Sequence, residues 1–322
     1  MRAFILTGPR EFAVHEVPAP VADPGHVVVD IDRVGVCGTD VEFFTGEMSY
    51  LHTGHAAYPI QLGHEWCGTV SAVGDGVDPS WLGRRTTGDT MLGCGACRRC
   101  LTGRHHVCEA RFEIGIRGGW PGALAEQLRI PVPFLHPLPD DVDATAGALV
   151  EPGGNALRSV RAAQISPGDR VLVLGPGTIG LLVAQFARAA GAEVHLMGRS
   201  ERSLAFARTL GFAGVWAADD LPPPARALEL VEPGKRIVYV GLAGTPSVVD
   251  TRTLALKDVT AVGILGASAG LAGTIEQYAT GAVDPRPVVA ATVGLDRAGD
   301  VLGGWRPSDA GPGPKIHIDP RL

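Results

Sequence analysis

Val171-Leu-Val-Leu-Gly175-Pro-Gly177-Thr-Ile-Gly180 is the stretch that decides the fold. Its apolar opening reads as a buried strand, and residues 179–190 have helical spacing. Between them lies Gly-x-Gly-x-x-Gly. That motif alone is weak. With a strand before it and a helix after it, it points to a dinucleotide pyrophosphate seated on a helix N-terminus. Gly175 permits the tight turn, Gly177 lets the phosphates approach the backbone, and Gly180 lets the helix lie close on its strand. Thr178 and Ile179 complete the turn that faces the phosphates.

Working outward, residues 194–197, 236–240 and 259–265 read as further buried parallel strands, and 203–210 as a helix. A doubly wound parallel sheet is expected over 149–283. The second strand ends His195-Leu-Met197-Gly198-Arg199-Ser200, with no acid to bind a ribose 2′-hydroxyl. Arg199 and Ser200, helped by Arg202, suit a 2′-phosphate, so NADP is predicted over NAD.

This sheet has a flaw. The doubly wound order needs six strands, with the fourth beside the first at the centre. Gly214–Ala217 offers a third strand, and the next apolar run is 236–240. Between them 218–225 reads Ala-Asp-Asp-Leu-Pro-Pro-Pro-Ala, which holds no strand. Omitting the central strand would leave backbone groups unpaired beside the coenzyme. The expectation is that the natural chain carries more residues here than the sequence holds. An intact mass of 33.5 kDa would defeat it. A genuine deletion would put activity itself in question.

The chain has 322 residues, 45% hydrophobic and 19% charged, with a formal charge of −6. That suits a folded protein of two domains. No basic run stands out, which argues against nucleic acid and anionic membrane surfaces as partners. The first twenty residues have no long apolar core, and 171–190 is broken by Gly175, Pro176, Gly177 and Arg188. No signal peptide or membrane span is expected, and the predicted location is the cytoplasm.

Four of the six cysteines crowd into Cys94-Gly-Ala-Cys97-Arg-Arg-Cys100 and Cys108. In a reducing compartment this spacing favours a closed, structural Zn²⁺ tetrahedron over disulfides. Three separate segments then supply a second set of donors: Cys37, His64 and Glu151. A thiolate, an imidazole and a carboxylate leave a fourth position for substrate oxygen. Each alone reads equally well as a core or surface residue; their combination with the cysteine lobe is what persuades.

Cys37-Gly-Thr-Asp, Gly63-His-Glu, the four-cysteine lobe, Glu151-Pro and the glycine turn occur in one order along nearly the whole chain. In this the sequence resembles the medium-chain dehydrogenase/reductase superfamily, in its zinc-containing sorbitol and threonine dehydrogenase-like branch. The resemblance implies an α/β architecture. A GroES-like β-rich catalytic domain covers 1–148, with 284–322 returning to it, and a Rossmann coenzyme domain covers 149–283. It implies two zinc ions per chain, with Cys37, His64 and Glu151 at the catalytic one. Glu65 would sit beside that metal as an exchanging ligand or as an acceptor, and Asp40 would orient His64. Thr39 would carry the proton. Glu42 stands where related enzymes continue the relay with a histidine, which leaves its role open. Asn155, Gly241 and Leu242 would lie near the nicotinamide, and residues 48–58 would overhang the substrate entrance. Cys67, three positions past His64, is assigned to packing.

The function expected is hydride transfer between NADP(H) and a small alcohol, polyol or sugar-like substrate, by a homodimer or homotetramer. The rival readings are a catalytically silent zinc scaffold of the same fold, a zinc-free quinone-type reductase, and a zinc-finger nucleic-acid binder, the last opposed by the acidic balance.

Overall fold

The computed structural model describes residues 1–218, 223–242 and 246–322. Two buried apolar clusters organise them. One, around Phe4, Ile31, Trp66 and Ile130, fills the N-terminal part. The other, around Leu149, Leu181, Phe186 and Leu196, fills the part that carries the glycine turn.

A seven-stranded sheet dominates the first part. Its long strand β1 (His26–Gly35) lies antiparallel to β2 (Glu65–Val73), with Gly35 opposite Glu65. The β-branched run Val27-Val28-Val29 of β1 is buried throughout and suits an interior strand. On its other side the last strand of the chain, Lys315–Asp319, pairs with it through His317 and Gly35. Val289–Gly294 then joins that last strand in parallel. The C-terminal residues therefore return to the first sheet. Leaving β1, the chain enters α1 (Gly38–Thr45), whose start is capped by Asp40 Oδ2 accepting from the N–H of Cys37 at 2.9 Å.

The second part begins with α2 (Val150–Ala163). Next come β3 (Arg170–Leu174), α3 (Thr178–Ala189), β4 (Glu193–Gly198), α4 (Glu201–Thr209) and β5 (Gly214–Ala217). Strands β3, β4 and β5 pair in parallel, which is the first half of a doubly wound sheet.

Proline shapes the connection beyond β5. The described part of the Pro-rich segment opens the helix α5 (Pro223–Leu230). Prolines are tolerated in a first helical turn because those N–H groups have no partner there in any case. Residues 219–222 of that segment lie outside the described residues. Then come β6 (Arg236–Tyr239) and β7 (Thr260–Gly263), parallel to each other.

Among the described residues no strand joins β3 to β6, so the sheet is two separate pieces of three and two strands. Leu172, on a strand that should be central, is 37% exposed. The absence of the fourth strand, expected from the sequence, is thus a slot in the fold. No helix among the described residues is long and apolar enough to cross a membrane.

Candidate metal and coenzyme site

Cys37 follows β1, and His64 with Glu65 opens β2, so the pairing of these strands brings the three together. One ligand atom from each lies within 4.8 Å of the other two. His64 and Glu65 are buried. The Nδ1 of His64 faces Asp40 Oδ1 at 3.5 Å, which leaves the other ring nitrogen for the cluster. Burial works against a charged imidazole here, but the Asp40 carboxylate and Cys37 outweigh it and push His64 well above the usual histidine range. A thiol, an imidazole backed by a carboxylate and a second carboxylate gathered within 4.8 Å fit a cation among these donors.

Glu151, the predicted third ligand, does not belong to the tight trio. It sits in the first turn of α2, where Asn155 Nδ2 donates to its Oε1 at 3.0 Å. Burial, with the charge of Glu65, pushes it up to about 7 against the opposing pull of His64. It is therefore a buried neighbour of the cluster, while Glu65 is the carboxylate packed into it. Asn155, expected near the nicotinamide, is engaged with Glu151.

Lys315 is the residue that sequence reasoning missed. Its ammonium donates to Glu65 Oε2 at 2.6 Å and to the carbonyl of Val36 at 2.8 Å. Burial disfavours its charge, yet the Glu65 carboxylate prevails and holds its pKa above the ordinary lysine value. The available signal was a lysine opening the otherwise apolar strand Lys315-Ile-His-Ile.

The four-cysteine lobe is compact. Sulfur–sulfur separations are 4.0 Å for Cys94–Cys100, 3.5 Å for Cys97–Cys100 and 3.8 Å for Cys97–Cys108, and all four thiols are free. Tetrahedral Zn–S bonds of about 2.3 Å put sulfurs roughly 3.8 Å apart. Backbone N–H groups of Ala96 and Cys97 hold the Cys94 thiol down to about 6. The donors fit a closed zinc site. Cys67, by contrast, is buried and pushed up to about 12, with its thiol on the carbonyl of Ala144.

The glycine turn joins β3 to α3. Gly175 has φ +103°, a conformation that L side chains rarely adopt. A Cβ on Gly177 would meet nothing within 4 Å, whereas one on Gly180 would lie 1.9 Å from the Gly175 carbonyl oxygen. A cavity of about 2420 Å³ runs past this turn. Cys37, Gly38, Val41, Glu65 and Lys315 line one end. Gly175, Gly177, Thr178, Ile179, Gly180, Gly241 and Leu242 line its coenzyme side. It is larger than the 300–1,000 Å³ of an ordinary ligand pocket, because it continues into the slot between β3 and β6.

Several expected residues are not brought to this cavity. Thr39 and Glu42 lie on α1 outside its lining, and so do residues 48–58. There Tyr50 and Tyr58 are committed to Glu113 and to the carbonyl of Phe43. Burial and the charge of Glu47 raise the pKa of Glu42. At the tip of β4, Arg199 is exposed and Ser200 caps α4 by accepting from the N–H of Ser203 at 3.5 Å.

Residues 23–140 match the alcohol dehydrogenase GroES-like domain. The chain is 30% identical over 255 residues to the probable D-xylulose reductase A of Aspergillus clavatus, covering 76% of this chain and 70% of that one. The chain belongs to the medium-chain dehydrogenase/reductase superfamily. This dehydrogenase is also 26% identical to the L-threonine 3-dehydrogenase of Rhizobium rhizogenes, over 99% of its own length and 98% of the relative's. That alignment runs over 347 positions against 322 residues here, so at least 25 positions of the relative have no counterpart. A solved structure of a putative zinc-binding dehydrogenase from Sinorhizobium meliloti, bound to NADP, matches 99% of each chain at 27% identity and a TM-score of 0.87. The protein is an alcohol dehydrogenase-type oxidoreductase.

Proposed function

We propose that this dehydrogenase passes a hydride between NADP(H) and the secondary hydroxyl of a small alcohol, polyol or sugar-like substrate, or the corresponding ketone. One observation carries the reading. A single cavity runs from Cys37 and Glu65 to the turn at Gly175, Gly177 and Thr178, so metal donors and phosphate donors face one space. A zinc ion at Cys37, His64 and a carboxylate would supply Lewis acidity toward a substrate oxygen. Asp40 holds the ring of His64 in place, and the N-terminus of α3 offers unpaired N–H groups to the pyrophosphate. The relatives named for threonine and xylulose support a polar, hydroxylated substrate.

The preference for NADP rests on the tip of β4. Neither Arg199 nor Arg202 has an ion-pair partner among the described residues. The acid between them in sequence, Glu201, is turned to Arg208 at 2.6 Å. The reading includes a cytoplasmic homodimer or homotetramer, to be checked by sedimentation. Its central test is purified protein assayed for zinc and for NADPH-linked turnover on polyols, sugars and secondary alcohols. Two zinc ions per chain and turnover faster with NADP than with NAD are expected. Zinc-replete protein with no turnover on any of them would refute it.

The slot between β3 and β6 favours a second reading, a silent zinc scaffold, because it opens the sheet beside the glycine turn. Zinc-replete protein that also binds no NADPH would select that alternative.

A further inference from the structure

A second, smaller cavity of about 230 Å³ opens beside the glycine turn. Pro176 of the turn walls it on one side, with Arg202 and Ser203 from the first turn of α4. Arg306 and Pro314 wall it on the other, from the loop 303–314 that leads into the last strand. Two guanidiniums carried by different parts of the fold thus face one space, and no ion pair engages either among the described residues. Arg306 is also firmly set. Its Nη1 donates to the carbonyl of Pro314 at 3.2 Å, and its Nη2 to those of Gly313 at 2.5 Å and Gly311 at 3.4 Å. The loop is pinned in turn, since the N–H of Gly311 donates to the carbonyl of Ala290 at 2.9 Å. Of the guanidinium's N–H groups, the one on Nε is buried and has no acceptor among the described residues. Burial, and after it the charge of Arg202, lowers the pKa of Arg306 below the ordinary arginine value. Two like charges brought together in this way repel until an anion comes between them.

We propose that Arg306 and Arg202 clamp the 2′-phosphate of NADP(H) from opposite sides, so that a residue of the C-terminal loop helps to select the coenzyme. This inference rests on the coenzyme reading above and deepens it. A phosphate dianion suits two forked guanidiniums, which give it charge-assisted hydrogen bonds of fixed direction. The N-terminus of α4 adds its positive end to the same space. Arg306 also lines the main cavity together with Gly175 and Gly177, so the small cavity adjoins the place of the pyrophosphate. The ribose of NADH offers this site a neutral hydroxyl and gains nothing from either charge.

The test titrates full-length protein with NADPH and with NADH, read by quenching of intrinsic fluorescence. The unaltered chain should bind NADPH the more tightly, and added inorganic phosphate should weaken NADPH more than NADH. Arg306→Met should lose about tenfold or more in NADPH affinity while its NADH affinity holds. Arg202→Met, at an exposed helix position, should do the same. The double variant should lose less than the two single losses combined, because both side chains hold one phosphate. If Arg306→Met fails to fold, Arg306→Lys decides, since it keeps the charge without the fork and should still lower the NADPH preference. An unaltered chain that binds NADH as tightly as NADPH would overturn the coenzyme reading itself. A chain that prefers NADPH, and keeps that preference in the Arg306 variants or loses both coenzymes equally there, would overturn this inference alone.

Discussion

Alanine at Gly180 and alanine at Gly177 should both weaken coenzyme binding but differ in their effect on stability, although both replace a glycine of one motif. At Gly180 the new Cβ would stand 1.9 Å from the Gly175 carbonyl oxygen, and real Cβ contacts essentially never fall below 3.0 Å. The start of α3 must therefore retreat from β3 by at least 1.1 Å (3.0 less 1.9). Overpacking of this kind costs about 1–3 kcal/mol, offset by roughly 1 kcal/mol of better helix propensity. A net loss of up to about 2 kcal/mol is expected. The retreat also carries the N–H groups of α3 away from the pyrophosphate, which should weaken NADPH roughly tenfold or more. At Gly177 the same methyl meets nothing within 4 Å, and φ is −86°. Stability should change little, because alanine is the poorer N-cap by about 0.5–1 kcal/mol while it lowers the entropy of the unfolded chain by about 0.4–1 kcal/mol. The methyl would stand where the phosphates approach, so NADPH affinity should still fall about tenfold or more. Urea unfolding and quenching of intrinsic fluorescence by NADPH measure the two quantities separately. Gly177→Ala protein that binds NADPH normally would refute the placement of the phosphates. Gly180→Ala protein with undiminished stability and unchanged NADPH affinity would refute the close packing.

Cys97→Ser should cut the zinc content from two ions per chain to one and lower Tm by several degrees; unchanged zinc on elemental analysis would count against the closed site. Arg199→Glu should weaken NADPH by about tenfold or more while sparing NADH, and equal losses for both coenzymes would remove Arg199 from 2′-phosphate recognition. His317 is fully buried with neither ring nitrogen hydrogen-bonded among the described residues, and burial lowers its pKa from 6.5 to about 3. Its folded value lies below its unfolded one, so the stability it lends is complete above pH 6.5 and drains as pH falls toward 3, by roughly 1.4 kcal/mol per unit at most. Stability of His317→Leu should therefore depend less steeply on pH across that window, and parallel curves for the two proteins would contradict this.

The parts most legible in the sequence were those fixed by local backbone chemistry. The glycine turn, the cysteine lobe and the strand that ends at Gly198 each carry their geometry in a few adjacent residues. The hidden parts depend on pairing between distant segments. Lys315 reaches Glu65 across 250 positions because the last strand returns beside β1. No periodicity within Lys315–Asp319 encodes that partner. Glu151 looked like a ligand from its residue type, but its distance from Cys37 and His64 depends on how α2 docks against the first sheet. The absence of a fourth strand among the described residues was legible from a different signal, the stretch 218–225 with no apolar run. The prolines there concealed the helix Pro223–Leu230, since residues that forbid a helix interior are acceptable at its start.

A continuous sheet transmits unfolding from edge to edge, so a coenzyme half of this kind ordinarily melts as one body. Among the described residues the three-stranded and two-stranded blocks share no ladder, and helices and side chains tie them together. Calorimetry should accordingly register the β6–β7 block loosening before the β3–β5 block, with a van't Hoff enthalpy smaller than the calorimetric one. The amide rows of β3 and β6 that look into the slot also form a template for strands of other molecules. Self-association that grows with concentration and heat is the consequence for handling the protein.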